Sequence, residues 1–208
     1  MRVPVAREGW PFVLAPGIAA VGLWLSGHRR AAVPFTAASL ASLGFFRDPE
    51  REIPSVPGGL LAPADGKVVE IREVVDSFVG EATRVSIFLS PLDVHVNRSP
   101  LAGLVTDVDY RPGRFLAAYR SEASEVNEQC TLALQGEAAR VTVRQIAGVL
   151  ARRIVCRARP GDKLAAGERF GMIRFGSRTE LVIPRGTRLR VREGDRVRGG
   201  ESVIGVLP

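Results

Sequence analysis

The chain has 208 residues, a formal charge of +7 and a pI near 10.6, with 46% hydrophobic and 6% aromatic residues. That length holds one domain with a real core plus an appendage and excludes two large domains. The basic balance suits an anionic partner, but no aromatic residue interleaves with a basic cluster, which argues against nucleic acid.

Particular residue types narrow the chemistry further. Lys67 and Lys163 are the only lysines, so a pyridoxal phosphate enzyme would need one of them for its Schiff base. His28 and His95 are the only histidines, too few for a multi-histidine metal site within one chain, and no metal is expected. Cys130 and Cys156 lack CxxC spacing and read as ordinary reduced thiols, not as a disulfide framework.

In chain order, the first elements are two charge-free runs, "PFVLAPGIAAVGLWLSG" (Pro11 to Gly27) and "AAVPFTAASLASLGFF" (Ala31 to Phe46), separated by His28-Arg29-Arg30. A signal peptide would show one apolar core and a small-residue cleavage site, whereas here a second apolar run follows. Residues 1–46 therefore read as a helical hairpin that dips into or thinly spans a bilayer, with arginines at its ends and Trp10 and Trp24 at the interface. A buried helical pair packed on the domain is the competing reading.

After the linker "FRDPEREIPSVPGG" the pattern becomes short alternating runs, among them "GKVVEIREVV", "TRVSIFLS", "GLVTDVDYRP", "CTLALQG", "ARVTVRQIAG", "RFGMIRF", "TELVIP" and "ESVIGVLP". These predict strands, so residues 47–208 form a mainly β domain. "GRFLAAYRSEASEVNEQ" is expected to be an irregular or partly helical insertion, with Asn127-Glu128 closing over a site. "GDKLAAGE" (Gly161 to Glu168) returns as "GDRVRGGE" (Gly194 to Glu201), an echo that resembles the paired hairpins of barrel-sandwich-hybrid domains. Gly176-Ser177 is then the tip between two paired strands.

The candidate chemistry lies in three places. Gly176-Ser177 joins a sterically open carbonyl to a hydroxyl that can attack it. Asp65 stands in a tight turn entering a strand in "LAPADGKVVEI", where Asp-Gly is also a common turn pair. His95, in "FLSPLDVHVNRSP", is the only imidazole outside the apolar N-terminus and so the one available for proton transfer near neutral pH.

"PADGKV", "SPLDVHVNRSP" and "IRFGSRTELVIP", in that order behind an apolar hairpin ending "FFRDPER", resemble the short form of phosphatidylserine decarboxylase, made as a self-cleaving proenzyme. The resemblance runs from about Trp10 to the C-terminus. It implies autocatalytic serinolysis at Gly176-Ser177, which leaves chains 1–176 and 177–208 associated and turns Ser177 into a pyruvoyl group. That group replaces pyridoxal phosphate: it takes the substrate amine as a Schiff base and accepts the electrons freed when phosphatidylserine loses carbon dioxide to become phosphatidylethanolamine. It also implies that His95 is the proton donor and takes part in activating Ser177, with Asp65 orienting or charging the imidazole as in a triad. Larger family members carry a second histidine three residues after the first, where this chain has Arg98, so either His95 serves both phases or Asp65 acts on Ser177 more directly. Arg98, Arg174 and Arg178 are candidates for the lipid phosphate or carboxylate, and alternation is expected to bring Arg174 and Arg178 to the same or a neighbouring face as Ser177.

Two other functions fit parts of the sequence. A non-enzymatic, membrane-tethered β-barrel or sandwich adaptor would use the echoing hairpins without needing Ser177, and a pyruvoyl decarboxylase of a soluble amino acid would leave the hairpin unexplained. The cytoplasmic side of the cell membrane is the expected location, and a homo-oligomer is left open.

Overall fold

The computed structural model describes residues 4–116, 123–148, 153–174 and 177–208. The chain forms two compact units, Met1–Glu50 and Arg51–Pro208.

In the first unit a 3-10 turn, Arg7–Gly9, leads into α1 (Trp10–Leu25), and α2 (Arg29–Phe45) returns beside it. Pro11 sits in the first turn of α1, where its missing N–H costs nothing, and Gly27, at φ 85°, lets the chain reverse. The helices are stitched by Ser39 Oγ, which donates to Val13 O at 2.8 Å. A side chain at Gly9 would run into Phe46, whose ring is buried and stacks on Phe12 at 5.3 Å. Elsewhere the hairpin inverts the usual rule of a soluble helix, because Ile18, Val21, Trp24, Leu25, Val33 and Leu40 are exposed. The stretch Arg7–Leu25, with mean hydropathy 1.3 over its most apolar window, is long and apolar enough to cross a membrane.

The second unit is mainly β. Its strands are β1 (Gly59–Leu61), β2 (Gly66–Asp76), β3 (Gly80–Leu89), β4 (Val96–Arg98), β5 (Gly103–Arg111), β6 (Gln129–Gly136), β7 (Arg140–Ala147), β8 (Ile154–Cys156), β9 (Lys163–Leu164), β10 (Arg169–Ile173), β11 (Ser177–Pro184), β12 (Arg188–Leu189), β13 (Arg196–Val197) and β14 (Val203–Val206). Eight of them form one antiparallel sheet in the order β13-β2-β3-β11-β7-β6-β5-β9, and two three-stranded sheets, β4-β10-β8 and β1-β14-β12, complete the unit. Alternation sends Val85, Ile87, Val143, Leu181 and Ile183 into a common core with Leu60, Phe170 and Ile204. Each such side chain, at or near zero exposure, contributes about 1.5–3 kcal/mol by burial. The predicted insertion contains one short helix, α3 (Ala123–Val126), and its residues 117–122 lie outside the described ones.

The two echoing segments are the same structure used twice. Asp162 Oδ2 accepts the N–H of Arg159 at 2.8 Å, and Asp195 Oδ2 accepts that of Arg192 at 3.0 Å. Gly161 N donates to Val105 O and Gly194 N to Val68 O, both at 2.8 Å. The strands that follow, β9 and β13, occupy the two edges of the eight-stranded sheet.

The expected hairpin across Gly176-Ser177 is not formed. β10 pairs with β4 and β8, whereas β11 pairs with β3 and β7, so the Gly-Ser element joins two different sheets. Periodicity identifies both strands correctly, but pairing depends on partners far away in sequence.

Candidate active site

Ser177 is the first residue of β11, facing Leu89 on β3 and Ala147 on β7. It is fully buried, and its Oγ has no hydrogen-bond partner among the described residues. Leaving a buried hydroxyl unpaired costs about 1–3 kcal/mol, which makes the position stand out from its surroundings. Ala147 and Ile173 pack together with Ile154 into a small apolar cluster next to this strand end. Gly176 itself lies outside the described residues.

His95 is also fully buried and sits just ahead of β4. Its carbonyl accepts the N–H of Ile173 at 3.2 Å, which places it beside the end of β10, four residues before Ser177. Its Nδ1 is 2.9 Å from Asp93 O. A carbonyl can only accept, so Nδ1 carries the proton and Nε2 is the basic nitrogen of the neutral ring. The turn that presents the ring is fixed by Asp93, whose Oδ2 accepts from Ser90 N at 2.8 Å and Ser90 Oγ at 2.7 Å.

Asp65 is brought alongside β4, because Pro63 O accepts the N–H of Arg98 at 2.9 Å. Gly66 begins β2 at φ 150°, and a side chain there would strike the Phe88 carbonyl, so the Asp-Gly pair is dictated by close backbone approach. The Asp65 carboxylate is spread over two donors, Arg51 Nη2 at 2.8 Å through Oδ2 and Gly199 N at 2.8 Å through Oδ1. The imidazole Nδ1 therefore faces a backbone carbonyl, and the bonds of Asp65 run to Arg51 and Gly199.

The three candidate arginines take different positions. Arg98 is buried, and its Nη1 donates to Gly167 O at 3.0 Å, so it is not a solvated surface residue. Arg174 is half-buried beyond the end of β10, with its N–H on Arg153 O at 3.3 Å. Arg178 departs from the expected shared face. Adjacent residues of a strand point to opposite sides, and Arg178 joins Glu180 on the side away from Ser177. There its Nη1 donates to Ser124 Oγ at 3.0 Å, and its Nε lies 3.9 Å from Glu180 Oε1.

A group of polar residues that the motifs did not single out lies next to Ser177 and His95. Asn97 Nδ2 donates to Thr179 Oγ1 at 3.1 Å, and Asn97 Oδ1 accepts from Gln145 Nε2 at 2.8 Å. All three side chains are at zero exposure. The available signal was a polar residue at an inward position of an otherwise apolar strand, as Gln145 is between Val143 and Ala147. The insertion contributes Asn127, whose Nδ2 donates to Ala147 O at 2.7 Å and to Leu116 O at 2.8 Å, while its Oδ1 accepts from Leu116 N at 2.8 Å.

The chain is similar to known proteins over nearly its whole length. The profile of the family described as phosphatidylserine decarboxylase matches residues 40–205. A phosphatidylserine decarboxylase proenzyme of Symbiobacterium thermophilum is 51% identical, over 100% of this chain and 98% of that protein. Proteins of the same name from Desulfotalea psychrophila and Chlorobium phaeobacteroides are 43% and 46% identical, covering 99% and 91% of this chain and 98% and 91% of their own lengths. With its profile match and full-length relatives, beside a buried serine that has no hydrogen-bond partner among the described residues, the chain belongs to the phosphatidylserine decarboxylase family.

Proposed function

We propose that this protein cuts itself between Gly176 and Ser177 and then decarboxylates phosphatidylserine to phosphatidylethanolamine with a pyruvoyl group made from Ser177. The single observation that carries the reading is the fully buried Ser177 hydroxyl without a hydrogen-bond partner among the described residues, at the first position of a strand clamped on both sides. Such a hydroxyl is already desolvated.

In self-cleavage, a base removes the Oγ proton, and the oxygen attacks the Gly176 carbonyl carbon. The peptide C–N bond breaks, leaving an ester and a free amine on Ser177. Loss of the Ser177 α-proton with rupture of its Cβ–O bond releases the upstream chain as the Gly176 carboxylate and leaves dehydroalanine. Tautomerisation to the imine and addition of one water release ammonia and leave a ketone next to the chain. His95 Nε2 is the base we assign to the first proton transfer, because Nδ1–H is committed to Asp93 O. Asp65 is assigned to charging the imidazole. Its segment runs beside β4, and this role requires its bonds to Arg51 and Gly199 to loosen.

Once formed, the pyruvoyl carbonyl supplies the electron sink for loss of carbon dioxide. The strand end that would carry it fits the group, since the orphaned oxygen is the only polar atom of the Ser177 side chain and the neighbouring Ala147, Ile173 and Ile154 are apolar. His95 delivers a proton to the former α-carbon of the serine headgroup. Arg174, half-buried and three residues before Ser177, is assigned to the lipid phosphate. The apolar helix Arg7–Leu25 is assigned to keeping the enzyme at the cytoplasmic face of the membrane where its substrate lies.

The test is the intact mass of the purified, denatured chain beside Ser177→Ala. The expected result is two polypeptides, the smaller starting at position 177 with a ketone in place of the amine, and a single uncut chain for the variant. A wild-type chain that stays whole, or an uncut variant that still releases carbon dioxide from phosphatidylserine, rejects the proposal.

A further inference from the structure

His95 and Ser177 belong to different sheets. His95 leads into β4, which pairs with β10, and Ser177 opens β11, which pairs with β3 and β7. In the intact chain residues 174–176 join β10 covalently to β11. Self-cleavage after residue 176 removes that joint, so the register between the imidazole and the new chain end must then be kept by non-covalent contacts.

Among the described residues, the Asn97 side chain spans the gap. Asn97, two residues after His95, donates to Thr179 Oγ1 at 3.1 Å, and Thr179 is two residues after Ser177. The same amide accepts from Gln145 Nε2 at 2.8 Å, and Gln145 is two residues before Ala147, which faces Ser177 across the ladder. A further contact from Asn97 Nδ2 to Pro63 O, 3.4 Å, ties in the segment that carries Asp65. The network therefore connects, one strand step away, each of the elements that bear the reacting groups. With Asn97, Thr179 and Gln145 all at zero exposure, these bonds face no competition from bulk water.

We infer that Asn97, acting through Thr179, is a positioning residue for decarboxylation and not for self-cleavage, because it holds His95 against β11 after the covalent joint is gone. The inference rests on the self-cleavage proposed above. Before the cut the covalent joint backs up the network; after it the β3–β11 and β7–β11 ladders still fix β11, and the network adds the side-chain tie between β11 and β4.

The distinguishing experiment is Thr179→Val in the full-length protein, which keeps the shape of the side chain and deletes the acceptor. Cleavage should proceed at the wild-type rate, whereas kcat for decarboxylation should fall about three- to tenfold, the range expected for one buried hydrogen bond, with KM little changed. Thr179→Ser should restore most of the turnover. Independently of activity, amide hydrogen exchange over Arg178–Leu181 should quicken in cleaved Thr179→Val relative to cleaved wild type. It should stay unchanged when Thr179→Val is placed in the uncut Ser177→Ala chain. Unaltered kcat and exchange would overturn the inference, as would cleavage slowed as much as turnover, which signifies a general structural role. If Thr179→Val does not fold, Asn97→Ala is read by the same criteria. A wild-type chain that never cleaves refutes the underlying function first, whereas a wild type that cleaves and turns over beside an unaffected variant refutes only the positioning role.

Discussion

Asn127 Nδ2 donates to Ala147 O at 2.7 Å, and Ala147 is the residue that faces Ser177 across the β7–β11 ladder. The insertion is thus bonded to the edge of the site through a buried amide whose other two bonds close on Leu116, beside the Glu128 carbonyl that accepts the Ala147 N–H at 2.9 Å. Asn127→Ala leaves the Ala147 carbonyl and both Leu116 backbone groups without these partners. We expect a loss of about 1–3 kcal/mol in urea unfolding of the uncut Ser177→Ala background, together with slower self-cleavage in the otherwise wild-type chain. Unchanged stability and cleavage would show that the insertion does not need this anchor.

Asp65→Asn keeps an oxygen for Gly199 N but withdraws the negative charge from Arg51, whose side chain is 8% exposed. The remaining acid on Arg51 is Glu201, at 3.1 Å. The expected cost is about 1.5–3 kcal/mol, that of a hydrogen bond to a charged group. If Asp65 also charges His95, cleavage slows by much more than stability predicts, and the rate of chain cutting on a denaturing gel separates the two effects.

Glu180 is fully buried with Arg144 Nη1 at 3.4 Å and the Nε atoms of Arg84 and Arg178 each at 3.9 Å. Ser124 Oγ donates to it at 2.7 Å, so α3 docks on the same carboxylate. Glu180→Gln removes the carboxylate shared by three guanidinium groups and leaves Arg84 and Arg178 with Glu70, at 2.8 and 4.0 Å. A destabilisation of about 3–5 kcal/mol is expected, measured as a lower urea midpoint in the Ser177→Ala background.

The Cys130 and Cys156 thiols act on each other's ionisation: Cys156, reinforced by burial, pushes the Cys130 thiol up, while Cys130 lowers Cys156 against the opposing effect of its burial. A larger fraction of Cys156 is therefore thiolate at a given pH, and it is also the more exposed of the two. Iodoacetamide should label Cys156 before Cys130, and Cys130→Ala should slow labelling of Cys156 at neutral pH. Peptide mass mapping with time reads both outcomes.

Much of the β unit was legible because alternation of apolar residues is imposed by a sheet with one buried face, as in Val85, Ile87, Leu181 and Ile183. The echo of Gly161–Glu168 in Gly194–Glu201 was legible too, since each repeats the same aspartate-capped turn. The exchange of sheets between β10 and β11 was not, because strand periodicity carries no information about partners. The placement of Arg178 away from Ser177 follows from parity alone, since adjacent residues of one strand point to opposite sides. The partner of Asp65 was hidden for another reason: Arg51 lies in a linker whose composition signals only a break in secondary structure. Asn97 and Thr179 lie inside "SPLDVHVNRSP" and "IRFGSRTELVIP", but their meaning depends on two sheets meeting at one point.

The distribution of residues 177–208 over the fold has a consequence for the history of the molecule. This stretch supplies a central strand and an edge strand of the eight-stranded sheet, and both β12 and β14 of the sheet that β1 completes. A chain cut at Ser177 would retain these pairings, but an unfolded cut protein would have to recover them by a bimolecular encounter between two fragments, neither of which holds a complete sheet. Maturation would then be a ratchet. The fold is reached once, while the polypeptide is continuous, and the working enzyme persists afterwards by the slowness of its unfolding and not by any ready ability to refold.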